Sequence, residues 1–255
     1  MPVSLREIVA NKVSELEARK NAAPFRTLEA RVKASQRRLE KALSGDGVKV
    51  IAEIKLASPS TGELRGDLDL EGVLSAYNRY AAGISVLGDR KFFKGGLELV
   101  ESVVKKTELP VLCKDFIIDV YQIYEARALG ADAALLIVKI LDEKRLRELF
   151  FAAQELGMTA VVEVQNESEI AIASKLSGGL LLINNRDLET FEIDLATTER
   201  LAPLAASHAL VVSASGINSR KDIDSLLPVC SRFLIGSALM RSDNIEAKLK
   251  ELVGA

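Results

Sequence analysis

The segment "AEIKLASPS" places Glu53 and Lys55 two residues apart. That spacing puts both side chains on one face of an extended strand, inward if Ala52 and Ile54 face outward. Lys114 closes the run "PVLCK", Glu163 lies in "TAVVEV" and Asn184 ends "LLLIN". Two carboxylates, two ammonium groups and an amide at strand ends can shift one another's pKa values and serve as general acids and bases. The bland alternative is a set of core ion pairs without chemistry, since buried charge must be paired or solvated. A second group points to an anion. "SGI" at 215–217 and "IGSALM" at 235–240 bring Gly216 and Gly236 to strand ends just before a polar or helical start. Backbone N–H groups left free there, completed by Ser58 of the "SPS" turn and by Arg186, suit a phosphate.

The elements that must position these residues alternate regularly. Short apolar runs at 48–54, 83–88, 110–114, 133–138, 159–164, 180–184, 209–214 and 232–236 are separated by longer helical patterns. In "DEKRLRELFFAAQELG" at 142–157, Leu146, Leu149, Phe150 and Ala153 form one apolar face and Gly157 is a C-terminal stop. Strand and helix repeated eight times predict an α/β fold, a (β/α)8 TIM barrel with its working residues at the C-terminal strand ends. An open doubly wound sheet is the alternative, disfavoured by the absence of GxGxxG. Residues 1–47 fall outside the repeat. Their charged patterns "LREIVANKVSELEARKN" and "LEARVKASQRRLEKAL" read as a helical N-terminal extension, too small for a core of its own. The expected organisation is one domain over 1–255, with the barrel at 48–255.

Composition narrows the function classes. Lys and Arg total 34 against 36 Asp and Glu, a formal charge of −2, which argues against nucleic acid as a partner. The longest apolar runs are far too short to span a bilayer, and no signal-peptide pattern opens the chain, so a cytoplasmic location without membrane attachment is expected. Cys113 and Cys230 lack metal-ligand spacing and read as reduced thiols. His208 is the single histidine, which leaves no room for a multi-histidine metal site and reads as a loop or strand-edge residue. Expected partners are a small aromatic or sugar-phosphate substrate, with the chain a monomer or weak homo-oligomer.

The motifs "AEIKxASPSxG", "ISVLxDxKFFxG", "KDFIIDxYQIYEARxxGADAxLLIVxIL", "INNRDLxTFEIDL", "SxSGI" and "FLIGSALM" together resemble indole-3-glycerol-phosphate synthase, nearly end to end and in order. The resemblance implies a lyase without cofactor or metal that cyclises 1-(2-carboxyphenylamino)-1-deoxyribulose 5-phosphate, releasing CO2 and water. It makes Lys114 the general acid and Glu163 its partner carboxylate. Glu53, Lys55 and Asn184 resemble residues that hold substrate hydroxyl and carboxylate groups. Ser58, Arg186, Ser215, Gly216, Gly236 and Ser237 match phosphate contacts. Phe93 and Phe116 match apolar walls for the aromatic ring, with Leu112 and Leu135 counted in the same lining.

Measured against that resemblance, four positions depart. Ala214 stands where a catalytic carboxylate is expected, Leu182 where glycine is usual, Gly88 for threonine and Leu56 for a cation. Together they predict a drier, reshaped pocket with weakened ring closure. Natural drift, ordinary variation with full activity, and a pocket redesigned for another reaction are competing accounts. A redesigned pocket would suit a Kemp-type benzisoxazole elimination with Glu163 or Glu53 as base, or a retro-aldolase using Lys114 or Lys55 as a Schiff-base amine. A sugar-phosphate-binding barrel without turnover is the non-enzyme alternative.

Overall fold

The structure, a computed structural model, describes residues 3–59, 62–205 and 210–255, so the expectation for His208 lies outside the described residues. Eight parallel strands close a barrel: β1 (Lys49–Ile54), β2 (Gly83–Leu87), β3 (Val111–Lys114), β4 (Ala133–Ile137), β5 (Thr159–Val164), β6 (Leu180–Asn184), β7 (Val211–Ala214) and β8 (Arg232–Ile235). Each strand pairs with its sequence neighbour, and β1 closes the ring against β8. The expected runs hold to within a residue or two at their ends. The (β/α)8 barrel read from the sequence is the observed fold.

Alternation along each strand sorts side chains into two cores. Val50, Ala52 and Ile54 of β1, Val111 and Cys113 of β3, and Leu181 and Ile183 of β6 face the helices. Ile51, Leu112, Val161, Leu182 and Val212 fill the barrel interior. The next inward position on four of these strands is Glu53, Lys114, Glu163 and Asn184, which therefore stand one layer above an apolar floor. Helix Glu143–Glu155 buries Leu146, Leu149, Phe150 and Ala153 as expected, and is started by Asp142, whose carboxylate accepts from the Arg145 N–H at 2.7 Å. Gly157, at φ +68°, turns the chain after it. Both cysteines are free and buried. No helix among the described residues is long and apolar enough to cross a membrane.

The N-terminal extension is helical only in part. Helix Leu5–Ala22 forms as the pattern predicts, capped by Ser4, and buries Ile8, Lys12 and Leu16. The second expected helix, over 28–43, breaks into Phe25–Glu29 and Leu39–Leu43. Tertiary pairing overrides local propensity between them. Ser35 donates to Asp132 Oδ1 at 2.6 Å, and Arg37 Nε meets Asp132 Oδ2 at 2.8 Å. Residues two apart point to different sides of a helix but to one side of an extended chain, so both reach Asp132 only if the helix is interrupted. Asp132 is 1% exposed and also accepts from the Val111 N–H at 3.0 Å, tying the extension to the first residue of β3. Asp132→Ala removes this anchor and takes from the buried Val111 N–H its acceptor and from the Arg37 guanidinium its carboxylate partner. Urea unfolding is expected to show a loss of about 3 kcal/mol; a loss below about 1 kcal/mol would mean that the carboxylate does not hold the segment.

Candidate active site

The carboxylate of Glu53, 2% exposed at the end of β1, sits between two cations. Lys55 Nζ lies 3.1 Å from Oε1, and Lys114 Nζ, delivered by β3, lies 3.4 Å from Oε2. Burial pushes the Glu53 carboxyl up, but the Lys114 and Lys55 ammonium groups more than offset it and hold the group below the usual carboxylate range. The same pairing acts on Lys114 in reverse. Burial lowers its pKa, while Glu53 and Glu163 outweigh that and hold it above the ordinary lysine value. Gly236, at the end of β8, makes the arrangement possible, because a Cβ there would overlap Glu53 Oε1.

Glu163, at the inward position of β5, is 3% exposed and has the opposite electrostatics. Its Oε1 accepts from Asn184 Nδ2 at 3.0 Å, and Asn184 Oδ1 accepts from the Arg186 N–H at 3.0 Å. Burial dominates and raises its pKa, Lys114 and the Asn184 hydrogen bond pull it back in part, and Glu169 and Glu53 add like-charge repulsion. The site thus holds a charged Glu53, a charged Lys114 and a Glu163 biased towards its acid form. Behind it, the Gln165 amide donates to the Arg186 carbonyl, and Arg186 Nη1 donates to the Phe191 carbonyl at 3.1 Å.

This polar row separates two compartments. A cavity of about 410 Å3 is lined by the row, by Ala214, by the loop Ser215–Gly216 and by Gly236, Ser237 and Arg241. The loop is held in a left-handed turn, Ser215 at φ +69°, by Asn185, whose side-chain amide donates to the Ser215 carbonyl and to Ser213 Oγ, each at 3.0 Å. Arg186 and Arg241 bring positive charge to it; burial, then Arg241, lowers the Arg186 pKa. Sequence reading missed Arg241. Its signal was its place four residues, one helical turn, after Ser237 in "GSALMR". A smaller cavity of about 100 Å3 adjoins the larger one, shares Lys55, Lys114, Glu163 and Asn184 of the polar row, Arg186 and Ser215 with it, and is walled on its far side by Phe93, Phe116 and Leu135, with Leu5 and Ile8 of the N-terminal helix above. The two phenyl rings stand 5.9 Å apart, centroid to centroid.

Not every expected position reaches the site. Ser58 lines the smaller, apolar cavity and not the compartment of Gly216 and Gly236. Leu112 and Leu182 line neither cavity, because they lie one layer down in the barrel interior, fully buried. Gly88 lies against Asp115, where a Cβ would meet Asp115 Cβ at 3.0 Å; it makes room for that side chain and adds no pocket wall. Leu56 also lines neither cavity; its carbonyl accepts the Leu64 N–H at 2.8 Å and so closes the hairpin that follows β1. Ala214 alone of the four departures borders the larger cavity, in register beside Asn184. Among the described residues no group of three or more His, Cys, Asp and Glu side chains is placed to hold a metal ion.

Comparison with known proteins places this geometry. The family profile described as Indole-3-glycerol phosphate synthase matches residues 5–252. An indole-3-glycerol phosphate synthase of Dehalococcoides mccartyi (strain CBDB1) is 42% identical over 257 residues, 98% of this chain and 99% of the relative. Tryptophan biosynthesis protein TrpCF of Vibrio cholerae is 40% identical over 98% of this chain but only 53% of its own length, so the chain spans about half of relatives of that kind. Among solved structures, 3-hexulose-6-phosphate synthase from Salmonella typhimurium superposes with a TM-score of 0.66 at 14% identity, covering 81% of this chain and 97% of the other. The tryptophan synthase complex from Pyrococcus furiosus gives 0.61 at 18%, covering 81% and 98%. These two likenesses carry the barrel fold alone. By the profile match and the identity held over its length, the chain belongs to the indole-3-glycerol phosphate synthase family.

Proposed function

We propose that the chain is a lyase of tryptophan biosynthesis that closes the indole ring of 1-(2-carboxyphenylamino)-1-deoxyribulose 5-phosphate, releasing CO2 and water. The observation that carries this reading is the order of the compartments. An apolar pocket, a row of proton-transfer groups and a cationic pocket lie side by side, as a molecule with an aromatic ring at one end and a phosphate at the other requires. Phe93, Phe116 and Leu135 take the ring, while Ser215, Gly216, Gly236, Ser237, Arg186 and Arg241 take the phosphate. Ser58, on the apolar side, contacts the substrate between them.

In this reading Lys114, kept protonated by its carboxylate neighbours, donates a proton to the ketone oxygen as the ring carbon attacks. The carboxylate of the ring leaves as CO2, and its bonding electrons restore aromaticity. The new hydroxyl then departs as water with a second proton, and a carbon-bound proton is removed to complete the indole. Glu163 and Lys114 divide these two transfers, with Asn184 holding the Glu163 carboxyl in place. Glu53 keeps Lys114 charged, and with Lys55 and Asn184 it meets the substrate's hydroxyl and carboxylate groups.

A retro-aldolase needs a neutral amine, and the electrostatics around Lys114 oppose it. Base-promoted benzisoxazole opening by Glu163 is the second reading, favoured by the burial that raises its pKa. Ala214 supplies no proton-transfer group beside Asn184, so the reaction runs without one there.

Supplying the anilino-deoxyribulose phosphate is expected to generate indole fluorescence, and Lys114→Ala to cut kcat/KM by about a thousandfold. No turnover by the unmodified chain would overturn the reading. Ala214→Glu, which adds a carboxylate at the larger cavity, is expected to raise kcat by about tenfold; an unchanged or lower kcat would show that the position carries no chemistry. The Glu163 pKa also makes a stability prediction. A carboxyl whose folded pKa lies above its unfolded value loses stability as pH rises from the ordinary carboxylate range through the folded pKa. Glu163→Gln, which cannot ionise, should therefore be more stable than the parent at neutral pH and lose that advantage in acid, as read from urea midpoints across pH.

A further inference from the structure

Helix Leu5–Ala22 buries a stripe of Ile8, Lys12 and Leu16, one turn apart. A lysine in the middle of a buried stripe is costly unless its charge is paired. Lys12 is 1% exposed, and its ammonium lies 2.9 Å from Asp115 Oδ1, 3.0 Å from Asp89 Oδ2 and 3.0 Å from Glu15 Oε2. The two aspartates belong to two different strand ends. Asp115 directly follows Lys114 and accepts the Phe116 N–H at 2.8 Å; Asp89 follows β2 and accepts the Phe92 N–H at 2.7 Å. The one cation therefore joins the helix to both loops that carry the aromatic walls of the smaller cavity. On the same face of the helix, Leu5 and Ile8 lie over that cavity. Further along, Lys20 pairs with Asp119 at 2.8 Å, away from the cavity lining and more exposed.

We propose that Lys12 is a positioning residue: its ammonium, shared between Asp89 and Asp115, docks the N-terminal helix as the roof of the apolar compartment and so sets affinity for the aromatic end of the ligand. The link to ring closure rests on the function proposed above, whereas the roof itself is measurable by binding. Removing the cation leaves two buried carboxylates facing each other, which drives the helix off the loops. The phosphate compartment lies across the polar row and shares neither Leu5 nor Ile8.

The test compares the parent chain with Lys12→Met and, as a control at the other end of the helix, Lys20→Met. Lys12→Met is expected to speed hydrogen exchange within residues 5–22, to weaken binding of 2-aminobenzoate and raise KM about tenfold, with kcat held within about threefold. Affinity for inorganic phosphate should not change, and Lys20→Met should leave the aromatic affinity as in the parent. Asp89→Asn is isosteric and keeps an acceptor for the Phe92 N–H, so it decides the question if Lys12→Met does not fold. It should shift the same affinities in the same direction by about threefold. Faster exchange without loss of aromatic affinity would overturn the proposal, as would an equal loss of phosphate affinity or a parent chain that does not bind 2-aminobenzoate. A parent chain that binds 2-aminobenzoate through this roof yet closes no ring would sink the proposed function and leave the roof standing.

Discussion

The site is organised by one buried carboxylate placed between two partly exposed ammonium groups at the barrel mouth. Taking a charge out of water costs several kcal/mol, and attraction to a partner offsets this only where geometry is maintained. Glu53 meets the condition because β1, β3 and β8 each supply one part: the carboxylate with Lys55 after it, Lys114, and a glycine whose missing side chain leaves the space. With Glu53 beside it, Lys114 is held in its protonated form in the resting site. Glu163 feels that cation's charge and accepts a neutral amide's hydrogen bond, but burial outweighs both and governs its titration. Two carboxylates in one cavity thereby take opposite protonation tendencies, the separation that lets one fold present both an acid and a charge stabiliser.

The fold was legible because a barrel strand has a period of two and its crossover has the length of a helix. The inward positions of β1, β3, β5 and β6 could be named from alternation, and their side chains do converge. Height along the strand was less legible. Leu112 and Leu182 share a face with Lys114 and Asn184, yet lie one layer lower, where they fill the barrel and touch no ligand space. Alternation reports the face of a residue; which layer opens to the mouth depends on the stagger between strands, which the sequence does not print.

The remaining misses share another cause, contacts between distant segments. The helical pattern over 28–43 was real in its apolar spacing, but Ser35 and Arg37 gain a buried carboxylate 97 residues away from Ser35 by leaving the helix. Gly88 looked like a pocket change and is instead room for Asp115, itself needed by Lys12. Lys12 was invisible as a site residue for the same reason. A charged residue on an amphipathic helix ordinarily faces solvent, and the two aspartates at separate strand ends, with Glu15 on the same helix, make burial favourable.

Ala214 has a consequence that follows from this charge arrangement. It borders the larger cavity beside Asn184, with Arg186, Arg241, Lys55 and Lys114 on the surrounding walls. A carboxylate at that position would enter the same space as these cations and add like-charge repulsion against both Glu163 and an incoming phosphate. Alanine leaves the compartment more cationic and more roomy, so it favours anion binding while removing a group able to carry a proton. In the proposed function, the balance between capture of an anionic ligand and proton transfer thus falls on a residue with no polar atom in its side chain. Its effect would come from the negative charge that it does not add to the compartment.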